Sequence, residues 1–193
     1  VEPREAGAPK ANRGRAAGPE NRRALMAAAR EVYAEAGLNA PFSAVAKRAG
    51  VGQGSLYRHF PDRTALAVAV FDENVGELEL FAAVDGRTLD DLLDRVVDQA
   101  MVSTAFIDLL AGDPHNPIVQ HLGGRYRDVV VALLDRERAA RHVSADVEAE
   151  DVLLATEMLA TAIARSDPDM RPDVARRGRA IFHAALTARR PAA

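Results

Sequence analysis

The sequence predicts an all-α protein. Apolar residues recur at three- and four-residue intervals through most of the chain, and no stretch alternates with period two. Clusters of Gly, Pro and Asp interrupt that pattern irregularly, and no internal repeat is present. The 193 residues suffice for one large or two small domains with a sizeable core.

Residues 1–19 are rich in Gly, Pro, Ala and Arg without periodicity, and read as a flexible basic arm. From Pro19 to about Ala36, Leu25, Ala28, Ala29, Val32 and Tyr33 mark one face of a helix, with Arg22, Arg23 and Arg30 outside and Gly37 ending it. Residues 42–63 read as two short helices joined by a glycine-punctuated turn. Val45, Ala46 and Ala49 form the buried face of the first. Gly50 stops it, because the residue past a helix end commonly takes the left-handed conformation. Val51 is placed to plug the angle between the helices. The second, roughly Gln53 to Phe60, turns Leu56 and Phe60 inward. Gln53, Ser55, Tyr57, Arg58 and His59 are left outside, a face of donors with no acid among them. Such a face suits a major groove. Pro61 closes the helix.

Asp62 can cap the next helix, which runs to about Ala83 with Val68, Phe71, Val75 and Leu78 as a seam. It is longer than a three-helix unit needs, so its second half should pack on the helices beyond it. Asp85-Gly86-Arg87 is the expected boundary, with Thr88 capping a helix from 88 to about Ala111. Gly112 to Pro117 break it. Ile118 to Leu122 read as one turn of helix before Gly123-Gly124. Further helices are expected over Tyr126–His142, Asp146–Arg165 and Asp173–Arg189, the last two separated by Ser166-Asp167-Pro168 and Pro172.

The residues Ala46-x-x-Ala49-Gly50-Val51-x-x-Gly54-x-Leu56-Tyr57-x-His59-Phe60, followed by Arg63 and Leu66, resemble the helix-turn-helix signature of the tetracycline-repressor (TetR) family of transcriptional regulators. The likeness covers about residues 20–70. It implies a DNA-binding domain over 20–65 and a helical bundle over 66–193 for effector binding and dimerisation. It also implies that Tyr57 and His59 contact phosphates, that Gln53, Ser55 and Arg58 approach base edges beside Gly54, and that Arg63 holds a phosphate. Family members usually open the motif's first helix with Thr or Ser, where this chain has Pro41; Ser43 is the substitute hydroxyl. In the arm, Lys10, Arg13 and Arg15 could reach a minor groove or simply be solvated.

Gly50-x-Gly52-x-Gly54 superficially resembles a dinucleotide-binding loop, with Asp72 about 20 residues on. The spacing is wrong for that fingerprint, and an Ala-rich helix rather than a strand precedes it. The net charge of −3 hides a split: residues 1–63 hold 11 Lys/Arg against 6 Asp/Glu, and residues 64–193 hold 14 against 22. A basic front end on an acidic body is the asymmetry of a chain meeting phosphates at one end only. The absence of Cys excludes disulfides and thiolate chemistry and suits a reducing cytosol. No apolar run approaches a membrane span, and the first residues lack a signal-peptide core, so a cytoplasmic protein is expected.

No metal or cofactor site emerges: His115 and His121 are six apart across a proline, and Asp90, Asp91 and Asp94 fall on a polar helix face. No catalytic constellation is seen. By the resemblance, Phe81, Met101, Phe106, Leu109, Leu110, His121, Tyr126 and Met158 could line an effector pocket, the alternative being a filled core. Leu153, Leu159 and Ile163 with Ile181 and Leu186 are the expected homodimer interface, in a four-helix bundle like the family's. The expected partners are an operator duplex, an unknown small-molecule effector and a second copy of the chain. The rival readings are a helical adaptor that has lost DNA binding and, more remotely, a nucleotide-dependent enzyme.

Overall fold

A computed structural model describes residues 13–102 and 115–187. Among these lie eight α-helices and no strand: α1 (Arg13–Ala36), α2 (Phe42–Ala49), α3 (Gln53–His59), α4 (Arg63–Ala82), α5 (Leu89–Val102), α6 (Pro117–Ala139), α7 (Ala149–Arg165) and α8 (Arg171–Thr187). A 3-10 turn at Pro168–Met170 leads into α8. The all-α expectation holds.

The first core joins α1, α2, α3 and the first half of α4 through Leu25, Ala29, Val45, Leu56, Phe60 and Leu66. Gly50 stands at φ 66°, a conformation expensive for any side-chain-bearing residue, and Val51 packs half-buried beneath it. Asp62 accepts a hydrogen bond from the Ala65 N–H at 2.8 Å, capping α4 as expected. α1 differs from expectation. It begins at Arg13, inside the arm, and runs through Pro19. Arg13, Arg15, Ala16 and Ala17 are good helix formers, so the helix extends despite the backbone donor that Pro19 lacks.

α4 belongs to both halves of the molecule. Val70, Phe71 and Val75 lie in the first core, whereas Phe81 and Ala82 enter a second with Leu89, Leu92, Val130, Leu133 and Leu134. Thus α4 runs unbroken through the expected boundary at residues 65 and 66. α6 runs alongside α4 in the same direction: its Val119 and Leu122 complete the first core, and its Leu133 and Leu134 the second. A third cluster, Leu93, Val97, Leu159, Ile163 and Ala175, ties α5 to α7 and α8.

Two further departures concern breaks and charges. Gly123-Gly124 do not divide α6, which is continuous over 23 residues. Each glycine weakens a helix by about 1 kcal/mol, but Leu122 on one side and Val129 and Val130 on the other are buried and hold the helix through them. Asp90, Asp91 and Asp94 of α5 are partnered rather than merely solvated. Asp91 and Thr88 cap the helix reciprocally at 3.0 Å, Asp90 meets His183 at 2.7 Å, and Asp94 pairs with Arg179.

Two successive residues of α6 organise the turn between α4 and α5. Arg136 donates to the Ala82 carbonyl at 2.9 Å and the Val84 carbonyl at 3.1 Å, satisfying acceptors left at the end of α4. The buried Glu137 carboxylate accepts from the Leu89 N–H at 3.3 Å, at the start of α5.

Candidate nucleic-acid interface

The outward face of α3 is as the spacing predicts. Leu56 is fully buried, and Gln53, Gly54, Tyr57 and Arg58 are exposed, with Ser55 and His59 half-buried. No acid lies on the helix. The Arg58 Nε donates to the Gly54 carbonyl at 3.4 Å, one turn back, so its guanidinium lies along the helix rather than against a carboxylate. The edge of the Tyr57 ring meets Phe42 with centroids 5.4 Å apart, which fixes the ring at the seam between α2 and α3. Arg63, half-buried at the start of α4, lies close enough to the buried Tyr33 hydroxyl to oppose the rise in its pKa; burial still pushes that phenol up to about 12.

Several contributors escaped the sequence reading. Asn21 of α1 donates from Nδ2 to the Ser55 hydroxyl at 3.4 Å, tying α1 to the recognition face. The Arg22 guanidinium stacks 4.7 Å over the Phe60 ring. Their signal was present only as polar residues near the start of a helix, with nothing to say which α3 residues they meet. Arg48 is spoken for: Glu31 and Glu35 of α1 hold it at 2.8 and 2.7 Å, and Lys47 beside it is left exposed.

Ser43 is exposed in the first turn of α2, and Pro41 is the residue before that helix, with no side-chain cap. Pro41→Thr should therefore change stability little. The new cap contributes about 1 kcal/mol, and losing the proline's restraint on the unfolded chain costs about 0.4–1 kcal/mol. Duplex affinity should rise and its salt dependence steepen, as titration at several salt concentrations would reveal; unchanged binding would remove position 41 from the interface.

The sequence profile described as "Bacterial regulatory proteins, tetR family" matches residues 25–70, which span the helix-turn-helix, the second half of α1 and the start of α4. These matched residues place the helix-turn-helix segment in the TetR family. The fold of the chain extends the likeness well past the matched segment. A TetR transcriptional regulator from Streptomyces coelicolor superposes with TM-score 0.65 at 29% identity, over 89% of this chain and 99% of that one. The transcriptional regulator FadR from Bacillus subtilis, solved in complex with stearoyl-CoA, superposes with TM-score 0.58 at 17% identity, over 87% of this chain and 99% of that one, which is a likeness of fold alone. The fatty acid metabolism regulator protein of Bacillus subtilis is 30% identical over 102 residues, 51% of this chain and 50% of that protein. The chain thus spans about half the length of this curated relative. The chain resembles TetR-family regulators by sequence over residues 25–70 and by fold beyond them.

Among the described residues, those expected around an effector lie in several different places. Phe81 is buried in the second core with the guanidinium groups of Arg87 and Arg95 stacked 4.7 and 4.8 Å from its ring. Met101 packs half-buried on the third cluster, whereas His121 and Met158 are exposed. The inward stripe of α7 is Val152, Ala155, Thr156, Leu159 and Ile163, which places Met158 on the opposite side. Phe106, Leu109 and Leu110 lie outside the described residues, as does Lys10 of the arm. Tyr126 fits best: its hydroxyl is buried near Thr156 without a hydrogen bond among the described residues, and burial pushes it up to about 12.

The expected dimer residues divide as well. Leu159 and Ile163 are 3% and 0% exposed within a single subunit, where they form its third cluster, so they cannot meet a partner. Leu153 and Leu186 pack half-buried on the second core. The apolar residues that α7 and α8 leave outside are Leu154, Met158 and Ile181, at 56%, 55% and 65% exposure. A groove of about 410 Å³ between the two helices is lined in part by Leu154, Met158, Phe182 and Ala185.

Proposed function

We propose that two copies of the chain bind a two-fold operator, laying α3 of each in successive major grooves, and that a small effector releases the duplex. The observation that carries this is the acid-free outward face of α3, with Gln53, Tyr57 and Arg58 exposed on a helix whose other side is locked into the first core. The copies meet through the outward Leu154, Met158 and Ile181, which a partner's matching helices would cover in a four-helix bundle. Repression follows where the operator overlaps a promoter.

For the effector, the relatives supply the first class to test, a long-chain acyl thioester, and Tyr126 supplies a buried hydroxyl able to hydrogen-bond one. Selection from a randomised duplex pool with the full chain should return an inverted repeat whose half-site centres lie about 34–36 Å apart. Stearoyl-CoA should then release that duplex and coenzyme A alone should not. Pro41 supports a second reading, a folded dimer that has lost operator affinity. Recovery of no preferred duplex from a dimeric sample would establish that reading instead.

A further inference from the structure

The contact between α4 and α6 contains one directional element. Arg125, on α6, donates from Nε and Nη2 to the two Glu79 oxygens at 2.7 Å each, and from Nη1 to Asp72. Asp72, Gly76 and Glu79 stand at i, i+4 and i+7, one stripe of α4 two turns long. Gly76 leaves the middle of the stripe open: a Cβ there would lie 3.7 Å from the Arg125 Nη2. The guanidinium therefore grips α4 at two points about 10 Å apart along its axis, and the Arg125 side chain is only 23% exposed. Elsewhere this stretch of the interface is apolar, with Phe71 and Val75 in one cluster with Val119 and Leu122. Apolar packing is non-directional and tolerates small rotations, whereas a two-point fork does not.

The grip sits where α4 passes from the first core to the second. Asp72 is nine residues from the start of α4, so the lever from the clamp to the recognition helix is about 14 Å long. A tilt of about 10° at its end moves each recognition helix by about 2–3 Å, and a two-fold pair by about 5 Å, more than the 3.4 Å of one base-pair step. We propose that Arg125 is a positioning residue for operator reading: by gripping Asp72 and Glu79 it fixes the tilt of α4, and hence the half-site spacing that the dimer accepts. The inference rests on the dimeric DNA-binding reading above. Acids neighbouring the grip continue toward the motif: Glu73 of α4 pairs with Arg30 of α1 at 2.6 Å, and Glu31 and Glu35 of α1 hold Arg48 of α2. These ties make the helix-turn-helix follow α4 as one body.

The test measures affinity for the selected duplex and for versions with the half-sites one or two base pairs closer or further apart. Each added pair moves a half-site by about 3.4 Å and turns it by roughly 35°. The wild type should lose about tenfold or more at each changed spacing. Arg125→Met should keep its affinity for the original duplex within about threefold and show a flattened spacing profile, losing less than about threefold per step. The double variant Asp72→Asn with Glu79→Gln, on exposed side chains, should reproduce that profile, which guards against a folding defect in Arg125→Met. A wild-type spacing profile in both variants would overturn the inference, whatever happens to overall affinity. A wild type that selects no duplex would overturn the DNA-binding reading itself.

Discussion

Leu159→Glu should unfold the helical bundle, and Ile181→Glu should leave it folded but monomeric. Leu159 packs in the third core cluster with Val97, Ile163 and Ala175, and its side chain lies against Gly178, where α8 approaches α7. Truncating such a leucine alone costs about 2–5 kcal/mol, and stranding a carboxylate there adds several more. That rivals the roughly 5–15 kcal/mol that holds a whole domain together. Ile181 faces outward, so a glutamate there disturbs nothing within the subunit and is penalised only on burial against a second copy. Circular dichroism should therefore show wild-type helicity for Ile181→Glu and a lost or much-lowered transition for Leu159→Glu. In sedimentation, Ile181→Glu should run as a monomer where the wild type runs as a dimer. Its operator affinity should fall by about 10²- to 10⁴-fold, because the second half-site no longer binds at high effective concentration. An Ile181→Glu protein that remains dimeric would place the interface elsewhere.

These two residues also mark how far the sequence could be read. Local signals were reliable where one element decided its own fate. Gly50, the Asp62 cap, the Leu56–Phe60 pair and the outward face of α3 all appear as the spacing predicts, and Thr88 caps α5. What failed depended on partners far away in the chain. α7 carries apolar residues all round, so periodicity could not tell Leu159, which meets α5 and α8, from Met158, which lies exposed on the opposite side. Gly123 and Gly124 read as a break because their neighbours' burial against α4 is invisible locally. Nothing local marks Arg125, because its acids lie 46 and 53 residues away. Gly178 shows the same limit: only the closeness of Leu159 makes a small residue useful there.

The face of α3 makes one more sharp demand: Arg58→Ala and His59→Ala should weaken operator binding in different ways. Arg58 is exposed, carries no acidic partner among the described residues, and extends from the side of α3 opposite the buried Leu56. From a helix seated in the major groove, a guanidinium so placed reaches base edges, where its fork matches the O6 and N7 acceptors of guanine. Its loss should cost about 1–3 kcal/mol on the selected duplex and relax the preference at one position in each half-site, leaving other positions as selective as before. His59, half-buried with its ring 6.4 Å from that of Phe60, sits at the end of the helix, where a duplex seated on α3 would bring its phosphate backbone. Its removal should weaken all duplexes about equally and leave every base preference intact. Selection repeated with each variant separates the outcomes: uniform weakening by Arg58→Ala would make it a phosphate contact. A relaxed position in the His59→Ala selection would move that residue to the base-reading set. Comparing affinities on a random duplex guards against a trivial cause, since a misfolded variant would lose the random and the selected duplex together, whereas loss of a base contact spares the random one.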